Sequence, residues 1–188
     1  MKKNFMFAAA LSLFVFAFTV SAQKATNFAG TWTLDVSKSK LGDRNNIESQ
    51  SLTVVQTDKD MKVTPATKRM APPAGVPAGG PPGGGGGRMG GGMGGGDTTN
   101  TYTLDGKETT IETESPMGKV PTKLSGKWDG AKLILASSST FNTPNGEMTR
   151  STKETWSLSA DSNTLTIDAE STSPRGTNTS QKVFAKKP

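Results

Sequence analysis

The chain has 188 residues, among them 22 glycines and 11 prolines but no cysteine and no histidine, and a formal net charge of +6. Without imidazole or thiol it has no Ser-His or Cys-His nucleophile pair, no haem axial histidine and no zinc held by His or Cys. Its basic residues are scattered rather than gathered into a stripe with interleaved aromatics, which argues against nucleic-acid binding.

Met1-Lys2-Lys3 opens the chain, an uncharged apolar stretch runs over 5–20, and Val20-Ser21-Ala22 ends it in small residues. Positive start, apolar middle and small-residue exit predict a secretory signal peptide over 1–22, cleaved between Ala22 and Gln23. The apolar stretch is short for a membrane span and no stop-transfer charges follow, so no stable membrane anchor is expected after cleavage. No cysteine follows either, which excludes a lipoprotein anchor. The expected destination is periplasmic or extracellular. Loss of Lys2 and Lys3 lowers the net charge to +4, and the mature aromatics are Trp32, Trp128, Trp156, Tyr102, Phe28, Phe141 and Phe184.

The mature chain reads as one domain in two parts, 23–70 and 98–188. The first part predicts strands at 29–36, 50–57 and 61–67. Between the parts, 71–97 collapses into Gly, Pro and Met, a composition that cannot offset its ordering entropy by burial and so predicts a disordered loop. Three strands alone make a weak domain, whereas loop closure costs grow only logarithmically with length. An insertion at a hairpin tip is therefore the simpler organisation. The second part predicts strands at 99–104, 109–114, 120–128, 132–141, 147–158, 164–171 and 179–186.

Three dipeptides, Asp105-Gly106, Asp129-Gly130 and Asn145-Gly146, stand between alternating runs and predict tight hairpins through positive-φ turn positions. Trp32, Leu34 and Val36 share one strand face, as do Leu52 and Val54, Leu124 and Trp128, Leu133 and Leu135, and Leu165 and Ile167. The opposite positions are mostly Thr, Ser, Lys, Asp and Glu. One dry and one wet face is the pattern of an antiparallel sheet with solvent outside. The fold class is all-β: an antiparallel up-and-down meander closing into a barrel of about 8–10 strands, because closure removes exposed edges.

Phe28-Ala29-Gly30-Thr31-Trp32-Thr33-Leu34 resembles the Gly-x-Trp opening strand of the calycins, the lipocalin and fatty-acid-binding-protein barrels. Lys127-Trp128-Asp129-Gly130 and Lys182-Val183-Phe184 look loosely like late strands of the fatty-acid-binding branch. The resemblance implies that Trp32 is a structural plug at one barrel end. Two features depart from that branch. The stretch 37–46 is too short for its two-helix lid, and Lys182 and Phe184 stand where it carries an Arg-x-Tyr pair for the ligand carboxylate, so the bidentate guanidinium is missing.

If Trp156 and Leu158 point inward, period two sends Arg150, Thr152 and Glu154 inward with them. With Lys182 on the closing strand, these would be the ligand-binding residues of a barrel that is apolar at one end and charged at the other. The competing and preferred reading has this strand running past the core, with Arg150 and Glu154 solvated or paired locally, since charged residues are rarely buried.

Met70, Met89 and Met93 raise Cu(I) binding, but methionines without His or Cys make a poor site. No metal and no cofactor is expected. The Thr-x-Thr pairs are ordinary exposed-strand chemistry, and Asn178-Thr179-Ser180 is formally a glycosylation sequon. Asp58 and Asp60 read as turn residues, and Glu112 and Glu114 as wet residues opposite Ile111, without the convergent oxygens of a calcium site. The function expected is an exported, non-catalytic, lipocalin-like barrel for a small hydrophobic or amphipathic ligand. The alternative is an envelope or extracellular interaction protein with a filled barrel that meets partners through its outer face or its loop.

Overall fold

A computed structural model describes residues 26–42, 46–70, 97–115, 118–143 and 146–188. The signal segment and nearly all of the Gly/Pro-rich stretch, including Met89 and Met93, lie outside the described residues. Ten strands form one antiparallel sheet among them: β1 (Gly30–Leu34), β2 (Ile47–Gln56), β3 (Asp60–Arg69), β4 (Asn100–Thr103), β5 (Thr109–Ser115), β6 (Gly118–Asp129), β7 (Lys132–Thr143), β8 (Gly146–Leu158), β9 (Thr164–Ser173) and β10 (Gly176–Lys186). Their order across the sheet is β4-β3-β2-β1-β10-β9-β8-β7-β6-β5.

Sequence neighbours pair throughout, except where β1 meets β10 and where β4 fails to meet β5. The β1–β10 pairing sets Leu34 opposite Phe184 and joins the two parts of the chain into a single sheet. The ten strands expected from the alternating pattern are all present. β2 and β10 each begin three residues earlier than expected, at Ile47 and Gly176.

One hairpin is not where the dipeptides place it. Asp105-Gly106 has the local chemistry of a turn: Gly106 has φ +82° and Asp105 Oδ1 accepts from Lys107 N at 3.0 Å. Yet β4 and β5 lie at opposite edges of the sheet. Asp105 instead bridges Lys127, and Gly106 N donates to Gly126 O at 2.9 Å. A turn motif specifies local backbone angles and not the partner of the strand that leaves it. Here the chain crosses to β6, and this contact brings the two sheet edges together into a nearly closed barrel.

Asp129-Gly130 does turn β6 into β7, with Asp129 opposite Lys132. At the third dipeptide, Gly146 already pairs with Thr143 as the first residue of β8.

Inside, one half of the barrel is apolar. Trp32, Trp156, Tyr102, Phe28, Phe184, Met61 and four leucines are fully buried. Phe28 lies 6.1 Å from the Trp128 ring, stacked, and 5.9 Å from Trp156, edge-on. The Trp32 indole donates to Phe28 O at 2.9 Å, and Lys186 Nζ lies 5.5 Å from the centroid of the Trp32 ring. Trp32 is thus fully buried and held by its indole N–H. The strand order and the near-closure make an all-β, up-and-down antiparallel barrel of ten strands among the described residues.

Candidate functional site

On β8 the inward face reads Arg150, Thr152, Glu154, Trp156 and Leu158, from the polar half of the barrel into the apolar half. Glu154 is 7% exposed. Strand pairing holds it between Leu135 of β7 and Ala169 of β9. β8 therefore does not run past the core at this point, and the solvated reading of Glu154 is corrected. The register that buries Trp156 carries the residue two before it inside as well.

Glu154 Oε2 accepts from Trp156 Nε1 at 2.8 Å. Burial pushes the Glu154 carboxyl above its ordinary value, opposed by the charge of Lys182 and by the indole hydrogen bond. Lys182 is half-buried on β10, two residues before the buried Phe184. Burial pulls its ammonium below the ordinary lysine range; Glu154 counteracts this and Arg69 adds to it. Tyr102, fully buried on β4, is held well above the usual phenol value by burial first and by Glu154 second, against a side-chain hydrogen bond with Asn100.

These groups surround a cavity of about 50 Å³ between two walls of the barrel, with Gln50, Asn100 and Tyr102 on one side and Glu154, Trp156 and Lys182 on the other. Leu52, Val63, Ile167 and Phe184 supply its apolar lining. That volume takes a hydroxymethyl group or a few waters. It is far below the roughly 300 Å³ of a pocket enclosing a whole drug-sized ligand.

Beyond this cavity, hydroxyls pair across strands: Thr122 and Ser139 lie 2.8 Å apart and Thr152 and Ser171 3.1 Å apart. At the cavity itself, Gln50 Nε2 donates to Thr67 Oγ1 at 2.9 Å. The Arg150 guanidinium lies 5.6 Å from the centroid of the half-buried Phe141 ring. Four residues along a strand separate Cα atoms by about 13 Å, so Arg150 and Glu154 stand at different depths. Of the four residues expected to meet a ligand, Glu154 and Lys182 line the same cavity, while Arg150 and Thr152 do not.

Gln50, Asn100 and Tyr102 were not singled out from the sequence. A signal existed: Gln50 lies two before Leu52, and Asn100 two before Tyr102, each on the face of a buried residue. Elsewhere, Met70 is half exposed, and Asn178 and Thr179 of the sequon are exposed. Glu112 pairs with Lys119 on the outside at 3.2 Å. Thr57 Oγ1, not Asp58, accepts from Lys59 N and Asp60 N in the turn before β3. Among the described residues no group of three or more His, Cys, Asp or Glu could hold a metal ion.

No protein-family model matches the chain, and no curated protein matches it in sequence. Among solved structures it is similar to zebrafish ileal bile acid-binding protein complexed with cholic acid, at 15% identity and a TM-score of 0.44. The match covers 85% of this chain and 98% of that one.

Proposed function

We propose that the mature chain is an exported, non-catalytic binding module that takes a small amphipathic molecule into its barrel. The observation behind this reading is the stratified interior: a buried aromatic cluster, a cavity beside Glu154 and Lys182, and paired serine and threonine hydroxyls beyond it. A barrel evolved only to stand has no need of opposed charges inside it, since removing two charges from water costs more than apolar filling of the same space. An amphipathic ligand would set its polar group against the side chains around Glu154 and Lys182 and its apolar part against Leu52, Ile167 and Phe184. The signal-like first 22 residues support export, and the lack of His and Cys in the sequence supports binding over catalysis.

A second reading has an observation of its own. The small cavity and the ten fully buried large side chains among the described residues favour a filled barrel that acts through its outer face. An open groove of about 380 Å³ runs there across β8, β9 and β10, flanked by Lys40, Lys153, Asp168 and Glu170. Native mass spectrometry of the mature protein from its own host, followed by extraction of any bound compound, separates the two. A small molecule retained at near-unit stoichiometry supports the binding module. An empty barrel that also stays empty when challenged with amphiphiles supports the filled one.

A further inference from the structure

Gln50 is 9% exposed and lines the cavity, and its Oε1 has no hydrogen-bond partner among the described residues. Its amide nitrogen is bound to Thr67 Oγ1 at 2.9 Å. A threonine hydroxyl can donate or accept, so turning the amide over satisfies the oxygen and orphans the nitrogen instead. In either orientation one end of a buried amide needs a partner, and a hydroxyl group, donor and acceptor at once, satisfies both cases.

Charge narrows the choice further. Lys182 and Glu154 both line the cavity, and the charge of each acts on the other's protonation. An incoming carboxylate would meet Glu154 as well as Lys182. Arg69, the other cation that acts on Lys182, is exposed and donates to Asn46 Oδ1 at 2.8 Å. The cavity thus has one carboxyl, one ammonium and an amide oxygen without a partner on its lining, and its roughly 50 Å³ takes only a small polar group.

We propose that this cavity is the seat of a neutral hydroxyl head, so that the ligand is an uncharged, hydroxylated amphiphile and not a carboxylate. The proposal rests on the binding-module reading and specifies its ligand class. Gln50 receives the hydroxyl, the Glu154–Lys182 pair borders it, and Ile167 and Phe184 contact the first carbons of the chain.

The test uses the mature protein with 1-octanol and octanoate as matched probes, followed by calorimetry and by the side-chain amide NMR signals of Gln50. Octanol is expected to bind at least about tenfold tighter than octanoate, since like charges brought together oppose binding, and to shift the Gln50 signals. In Gln50→Leu the preference should fall below about threefold; Gln50→Met serves if the leucine variant does not fold. Octanoate binding as tightly as octanol overturns the hydroxyl proposal and leaves the binding module standing. So does octanol binding that leaves the Gln50 signals unmoved. If neither probe binds, with water alone satisfying Gln50, both readings fall.

Discussion

The Trp156 indole donates its Nε1–H to Glu154 Oε2 at 2.8 Å, between neighbours on one inward face of β8. The bond ties a core aromatic to a buried acid that lines the cavity. Glu154 has a raised folded-state pKa, so its stabilising contribution is full below the unfolded value and is lost as pH rises through the folded one. Lys182 opposes that loss.

Lys182→Met should therefore destabilise the fold at neutral pH. Breaking a buried ion pair in contact costs roughly 3–5 kcal/mol; Glu154 and Lys182 share the cavity without such a contact and Lys182 is partly exposed, so the expected cost is about 1 kcal/mol. Near about pH 4, below the ordinary glutamate value, Glu154 takes up its proton and the deficit should shrink. Thermal melts of both proteins at the two pH values check this; an equal deficit at both would separate the effect from Glu154.

Replacing both charges should reverse the sign. Glu154→Gln still accepts the Trp156 N–H, and Lys182→Met fills the same space without desolvating an ammonium. The double variant should melt at or above wild type at pH 7, as apolar replacements of buried ion pairs are often neutral or stabilising by about 1–4 kcal/mol. A melt below that of Lys182→Met alone would contradict a charge coupling between the two groups.

Trp32→Ala should cost about 3–5 kcal/mol, the range for truncating a fully buried aromatic. Trp32→Phe keeps most of the packing and removes the hydrogen bond to Phe28 O, so it should cost about 1–3 kcal/mol for the orphaned carbonyl. Chemical denaturation of both variants gives the comparison. A loss under about 1 kcal/mol for the alanine variant would remove Trp32 from the core.

Much of the barrel was legible because burial writes itself at period two. The alternation around Trp32, Leu133 and Leu165 placed strands, and period two offered an inward Glu154 from Trp156, a reading set second to the solvated one. The pattern failed where the determinant was not local. Asp105-Gly106 has turn chemistry, but nothing near it in sequence reveals that its strand closes on β6. Gln50 and Asn100 were missed because a polar residue beside an apolar one reads as wet unless the opposite wall is known. Glu154 was discounted for the same reason, since the favourable charge on Lys182 comes from a strand 28 positions away in sequence.

Closure itself rests on a glycine whose role is visible only in three dimensions. A Cβ on Gly126 would stand 2.8 Å from Thr103 O and 3.1 Å from Leu135 Cδ2. The first contact is with backbone, which cannot swing away. Gly126→Ala should push β4 off β6 and cost about 1–3 kcal/mol. Hydrogen exchange at Gly106 N, which donates to Gly126 O, should accelerate more than exchange within the β8–β9 pairing. Uniform acceleration across the sheet would mean that the contact is no weaker than the rest of the barrel.

The single-domain organisation has its own test. Asp97 Oδ1 accepts from Thr67 N at 2.8 Å, so the chain resumes beside β3, close to where that strand ends at Arg69. Six linker residues reach about 20 Å, enough to rejoin these ends. Replacing residues 71–96 with a six-residue Gly/Ser linker should preserve the cooperative melt and add about 1 kcal/mol, because each halving of a flexible loop saves about 0.6 kcal/mol of closure entropy. The β1–β10 pairing requires both parts of the chain to fold together, so the shortened protein should unfold in one transition. Two transitions, or loss of cooperativity, would show that the segment separates independent units.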